Sequence, residues 1–373
     1  MKKIFICLIL FLSFSVLFAY DLNFDLEAQF YYNNYLKNET YQYMASYITF
    51  TAFESIEKIR MKLKERIDQI KYDFDIRFYL KPNQNKLEYV VDSAYFSFEN
   101  GPFVLYAGKQ RVKWGVGYIW NPSDKLQPVK DILNPQIDLE GFYALRMEYS
   151  NDFITPSLII LPYLKPVESN FLENFRFALQ LYKLIGTADF YIDGIYQINN
   201  IQTIGGSVSY DIDFFIINLE ASAIRYINSD LCVARLFEAD EHKINYSFVA
   251  GINKTIESNF FLSLEYYYNG WGLTNSQFND YVSVSKICDF GIKKNYFSLN
   301  LSWVWDEKIS FAAAFIYGMD DSSFLLYPKI EYVENSNFNF EIGFMENITS
   351  ENKETYFSMP VFNITSLKLK AFF

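Results

Sequence analysis

From Tyr20 onward the chain follows a two-residue rhythm. Leu22, Phe24, Leu26, Ala28 and Phe30 alternate with Asp21, Asn23, Asp25, Glu27 and Gln29. Tyr72, Phe74, Ile76, Phe78 and Leu80 alternate in the same way with Lys71, Asp73, Asp75, Arg77 and Tyr79. Side chains point to opposite faces along a strand, so each stretch is a ribbon with one apolar and one polar face. Between them, an extended segment over 42–66 carries Ile48, Phe50 and Ala52 on one parity and Ile59, Met61 and Leu63 on the other. That switch predicts a β-bulge. The pattern recurs near 87–98, 103–114, 141–150, 153–164, 175–183, 187–198, 202–211, 214–225, 244–254, 260–268, 295–305, 309–317, 323–333, 338–345 and 362–373. This makes about 18 strands, or about 16 to 20 if weak segments are merged or 42–66 is divided, and most have the roughly ten residues that cross a bilayer at the usual tilt.

The long connections, at 115–140, 165–174, 226–243, 269–294 and 346–361, all fall on one side when the short turns are placed on the other. An even strand number with one-sided long loops is the signature of an all-β, antiparallel up-and-down transmembrane barrel, its short turns periplasmic. No apolar run after Tyr20 is long enough to span a bilayer as a helix, although 51% of the residues are hydrophobic and 20% aromatic. Dispersed greasy residues and 31 Tyr with 38 Phe suit a lipid-facing surface with aromatic girdles better than a soluble β-domain.

Residues 1–19 read as a cleaved signal peptide, with Lys2 and Lys3 before the apolar run from Ile4 to Phe18 and a small residue at Ala19. Residues 20–373 are then the barrel. Removing Lys2 and Lys3 from the 33 basic residues leaves 31 against 44 acidic ones, a formal charge of −13. That balance argues against a nucleic-acid partner. Cys232 and Cys288, both in loop-like stretches, either form a disulfide in an oxidising envelope or remain free thiols.

The stretch Phe103 to Pro128 changes character halfway. Val104, Tyr106, Gly108, Gln110 and Val112 occupy one parity, and the other ends in Lys109, Arg111 and Lys113. Read as a strand through Lys113, it places three cations on one inner wall, about 7 Å apart. With Arg60, Lys62, Lys64, Lys71, Arg77, Arg146 and Arg176 these form a basic stripe, in the company of Asp73, Asp75, Glu148, Asp189 and Asp193. Such a wall concentrates anions and lets them pass from site to site. The competing reading is that the cations are neutralised by cross-strand acidic partners. The loop that follows has Trp114, Trp120, Asn121, Pro122 and Asp124 as turn-forming or packing residues. Either it folds inward and narrows the lumen, with Asp124 pinned by Arg111 or Lys113, or it shapes a turn at the rim.

G-K-Q-R-V-K-W-G from Gly108 to Gly115, W-N-P-S-D from Trp120 to Asp124 and E-G-F-Y-A-L-R-M-E-Y from Glu140 to Tyr149 resemble a recurrent pattern in porin-like outer-membrane β-barrel proteins. The resemblance covers about 40 residues and implies a barrel and a porin-type role by analogy, with no assigned substrate. The ending is similar to the C-terminal assembly signal of such barrels: Leu367, Leu369, Ala371 and Phe373 alternate with Lys368 and Lys370. That resemblance implies recognition by barrel-assembly machinery.

Catalysis finds little support. His242 is the only histidine, set between Glu241 and Lys243 in a predicted loop, with no marked nucleophile. Gly115-Val116-Gly117 lacks a phosphate-loop context, and Cys232, Cys288 and His242 lack zinc spacing. No enzyme activity, cofactor or metal is expected. The expected role is a diffusion channel in the outer membrane of a diderm bacterium for small polar or anionic solutes, in contact with outer-membrane lipid. The alternative is a non-conducting surface barrel, acting as adhesin, receptor or polysaccharide organiser through loops 226–243 and 269–294 with Trp271, Phe278 and Tyr281. A single barrel and a homotrimer are both compatible with the pattern.

Overall fold

The computed structural model describes residues 21–34, 53–81, 86–126, 141–162, 175–198, 201–226, 244–270, 272, 294–320, 322–335, 338–348 and 363–372. Among these residues the alternating stretches form eighteen strands and no helix. The first nine are β1 (Asp21–Asn34), β2 (Phe53–Ile67), β3 (Ile70–Lys81), β4 (Lys86–Asn100), β5 (Phe103–Gln110), β6 (Phe142–Tyr149), β7 (Thr155–Pro162), β8 (Phe175–Ile185) and β9 (Ala188–Gln197). The remainder are β10 (Ile201–Asp211), β11 (Ile216–Tyr226), β12 (Asn245–Ile256), β13 (Phe260–Tyr268), β14 (Asn295–Val304), β15 (Ile309–Gly318), β16 (Ser323–Asn335), β17 (Phe338–Ile348) and β18 (Asn363–Phe372).

Each strand pairs antiparallel with its sequence neighbours, and β1 pairs with β18 from Asp25 opposite Phe372 to Asn34 opposite Asn363. The sheet is therefore a closed cylinder with no free edge, the one sheet arrangement that hydrocarbon tolerates. Connections on one rim hold two to five residues, as at Asp68-Gln69, Gly101-Pro102 and Gly186-Thr187, and the long connections all leave the other rim. The tight hairpins need positive φ, supplied by Gly101 (57°) and Gly186 (61°) and, without glycine, by Asp68 (53°) and Asp213 (64°).

Strand parity sets the two environments. On β12 and β13, Ser247, Val249, Ser263, Glu265 and Tyr267 are buried on the inner face, and Tyr246, Phe248 and Ile252 are exposed on the outer one. Exposed aromatics collect beside the short turns: Phe103, Phe153, Phe214, Trp303 and Trp305, the last two stacked at 5.9 Å. This is one girdle of a membrane barrel.

Two expectations change. The segment expected to run from 103 to 114 ends as a strand at Gln110, because Gly108 takes φ 124° with the Ala94 carbonyl so close that a Cβ would lie 2.3 Å from it. In β2, pairing with β1 is continuous from Phe53 to Lys64, and residues 42–52 of the expected bulged strand lie outside the described residues. A bulge does occur nearby, where the β3–β4 register shifts between Asp75 and Ile76. Asp92 is the extra residue there, and the bulge turns its carboxylate inward, next to buried Ser93.

Candidate functional site: the lumen and its inner segment

Residues 111–126 leave β5 and run inside the barrel. Trp114, Ile119, Trp120 and Leu126 are almost fully buried, each at 6% exposure or less. Trp114, with Val112 and Leu126, packs on inner-face Ile159, Leu161, Ala178, Ile195 and Ile224. Ile119 and Trp120 pack on the next arc of wall, against Val249, Tyr267, Tyr296, Ile316 and Leu325, with the Trp120 and Tyr267 rings stacked at 5.3 Å. The apolar residues on these inner faces, out of place in a wet lumen, form the seat of this segment.

Two inner-wall carboxylates hold its backbone. Glu220 on β11 accepts hydrogen bonds from Val116 N (2.9 Å), Gly117 N (3.4 Å), Asn121 Nδ2 (3.2 Å), Ser123 N (2.9 Å) and Ser123 Oγ (2.8 Å). Glu265 on β13 accepts from Tyr118 N and from Ile119 N (2.8 Å). Successive amides converging on one carboxylate make an anion nest, with the anion supplied by the wall. Gly115 permits the close approach: its φ is 79°, and a Cβ there would lie 2.3 Å from Glu220 Oε2. Ser222 Oγ donates to the Pro122 carbonyl (3.1 Å) and Arg176 Nη1 to that of Lys125 (3.0 Å).

Asp124, the expected partner of Arg111 or Lys113, accepts from Trp114 N and Leu126 N, both at 3.2 Å, closing the segment on itself. Arg111 turns to the wall it has just left and meets Asp75 (3.0 Å) and Asp92 (3.2 Å). Glu265, Glu220 and Asp124 are the carboxylates that act on the charge of Lys113.

The basic stripe is also rearranged. Arg60 binds Asp75 through two hydrogen bonds (2.9 and 2.7 Å), and Arg77 forks onto both oxygens of Asp92. With Arg111, three guanidiniums share two carboxylates, so these five groups carry one net positive charge. Lys62 faces Asp75 across the β2–β3 ladder, and Lys64 lies 3.6 Å from Asp73. Lys71 is exposed near the short-turn rim, opposite Ser97. Arg146 lies 3.8 Å over the Tyr106 ring and pairs with Glu148 at 3.5 Å.

Lys109 requires a correction. It pairs with Ala94 and Tyr143, in register with Phe96, Phe98, Leu145 and Met147, whose exposed side chains mark the outer face. Val104, Tyr106 and Gly108 occupy the inner face. No three-cation ladder exists on β5: Lys109 falls on the outer parity, buried at 8% exposure with its Nζ 5.7 Å from the Tyr143 ring centroid, and Arg111 and Lys113 lie beyond the strand. Cys232, Cys288, Phe373 and residues 1–19, expected to be a leader, fall outside the described residues, and Leu369 and Ala371 pair with Ala28 and Leu26 along the closing seam.

Glu220, Glu265 and Asp92 were not singled out from the sequence. The available signal was the continuous apolar run Leu158-Ile159-Ile160-Leu161, with no polar face for a lumen, which marks a wall covered on both sides. Among the described residues no group of His, Cys, Asp and Glu is arranged to hold a metal ion.

No protein-family model matches the sequence, and no curated relative does. Solved structures do share the fold. A BenF-like porin from Pseudomonas fluorescens Pf-5 matches with a TM-score of 0.59 at 10% identity, over 95% of this chain and 98% of that one. The outer membrane protein opdK from Pseudomonas aeruginosa matches with a TM-score of 0.58 at 9% identity, over 95% and 98%. OccK2 (OpdF) from Pseudomonas aeruginosa, in complex with glucuronate, matches with a TM-score of 0.57 at 9% identity, over 94% and 98%. At these identities the likeness establishes architecture, and the chain has the fold of porin-type outer-membrane barrels.

Proposed function

We propose that this chain is an outer-membrane channel for small polar solutes with a preference for anions, its short-turn rim facing the periplasm. The observation that carries this reading is the asymmetry of the inner segment. Its tryptophans are buried on the wall from β6 to β16, and its amides are taken by Glu220 and Glu265. Arg111, at its start, keeps a third of its side chain in solvent beside Arg60 and Arg77. The start of the segment thus presents the Arg111 guanidinium to water, with those of Arg60 and Arg77 beneath it, and such planar forks suit carboxylates. A small carboxylate solute such as glucuronate, which one of the fold neighbours holds, fits that chemistry.

Reconstitution in a planar bilayer tests the proposal. The full chain is expected to give discrete openings with anion preference and to show a concentration-dependent fall in chloride current as glucuronate is added. A refolded barrel that never conducts would overturn this reading in favour of the surface-barrel alternative.

A further inference from the structure

The outer face of the barrel carries a site that conduction does not use. Across β7 to β12 the register aligns one outward row: Leu158, Leu179, Gly194, Ile204, Ala223 and Tyr246. Its large members are exposed, Ile204 at 63% and Tyr246 at 64%, whereas Gly194 and Ala223 contribute almost no side chain. The row is therefore notched between bulky neighbours.

The next row toward the long-loop rim differs in kind. There Tyr196 faces Gln202, and Gln202 faces Arg225. By parity with Ile204 and Ala223, Gln202 and Arg225 belong to the hydrocarbon-facing surface, where alternation calls for apolar residues. The two rows, Tyr246 excepted, line one groove of about 660 Å³, within the size range of small-molecule sites. Arg225 lies one residue from the end of β11 at Tyr226 and about 7 Å nearer the rim than Ala223. At that height a barrel passes from acyl chains to headgroups, and a charge on the lipid face costs least.

A groove with a guanidinium and an amide at one end and only apolar lining at the other matches a molecule with one anionic end and a hydrocarbon remainder. The guanidinium fork fits phosphate oxygens, and the Gln202 amide offers a neighbouring donor. We infer that this groove binds one anionic, phosphate-bearing lipid of the leaflet beside the long-loop rim, with its phosphate at Arg225 and Gln202 and an acyl chain in the notch at Gly194 and Ala223. The inference rests on the membrane placement proposed above and is independent of conduction.

Native mass spectrometry of the full refolded chain tests it, with phosphatidylglycerol as probe and a phosphate-free galactosyl diacylglycerol as comparator. One phosphatidylglycerol per chain is expected to survive mild activation, and the comparator is expected to be lost. Arg225→Gln removes the charge. Gly194→Leu fills the notch, and a Cβ at that position has room, its nearest neighbour being the Thr203 carbonyl at 3.6 Å. Arg225→Gln is expected to lower lipid retention about tenfold, the worth of one charge-assisted hydrogen bond, and Gly194→Leu to lower it by displacing the acyl chain, with unchanged heat-modifiable electrophoretic mobility as proof of folding. Equal retention of both lipids, retention indifferent to both substitutions, or a Gly194→Leu chain that loses association with other copies would each overturn the lipid assignment. A chain that retains phosphatidylglycerol but never conducts would sink the channel reading and leave this one standing.

Discussion

The two sides of the lumen use charge in opposite ways. On β2 to β4, side chains answer side chains: Arg60 with Asp75, Arg77 with Asp92, and Arg111 with both acids. Half a turn of the cylinder away, on β11 and β13, Glu220 and Glu265 answer backbone amides. The first arrangement fixes a field and leaves the shape of the lumen alone. The second fixes shape, because a carboxylate that gathers consecutive amides specifies the path of the chain that owns them. On the proposed function, selectivity and aperture answer to different walls, and substitutions are expected to separate them.

The largest effect is expected from Arg77→Ala. Asp92 is fully buried, and removing its forked partner leaves a desolvated charge, so stability falls by roughly 3 kcal/mol even with Arg111 nearby. The denaturant midpoint in lipid vesicles measures this loss, and Arg77→Ala combined with Asp92→Ala is expected to recover most of it. A stable single variant would mean that this wall is not held by its ion pairs.

Glu220→Ala ranks next. It strips five hydrogen bonds from the inner segment, and single-channel conductance is expected to rise on the order of twofold, with noisier openings, as the aperture loosens. Glu265→Gln is expected to move conductance the same way by less, since it touches two amides. Unchanged conductance in both would break the contrast between the walls.

Arg111→Ala sharpens the contrast from the other side. Aperture is expected to hold while the reversal potential in a salt gradient shifts toward cations by on the order of 10 mV. Lys64→Ala closes the series. Its side chain is 65% exposed and 3.6 Å from Asp73, so unfolding free energy is expected to change by less than about 0.5 kcal/mol, as is usual for a solvated pair.

Strand positions were legible wherever one face met lipid. The segment over 260–268 is reproduced to the residue in β13, and the weak one near 338–345 is lengthened only to 348 in β17. Alternation works there because hydrocarbon penalises every outward polar group. It failed at Lys109, where both parities of the strand carry apolar residues. Phe103, Leu105 and Ala107 form the lipid-facing set and Lys109 ends it at the rim, so counting cations selected the wrong face. The partners of the inner segment were illegible for another reason. A glutamate among alternating polar residues, as in Asn218-Leu219-Glu220-Ala221-Ser222, reads as any wet-lumen residue until a second stretch of chain is known to lie against it. The Asp92 bulge was hidden because a single extra residue leaves hydrophobicity almost unchanged while rotating everything beyond it.

The seam between β1 and β18 sets when this molecule can exist at all. Its two halves stand at opposite ends of the sequence, so the seam zips only after every intervening hairpin has been threaded, and such distant contacts form slowly. Until then the growing sheet has two raw borders, each able to recruit a stranger's strand. A nascent copy stalled before its final ribbon would be an aggregation hazard, needing an escort to shield both borders until they meet.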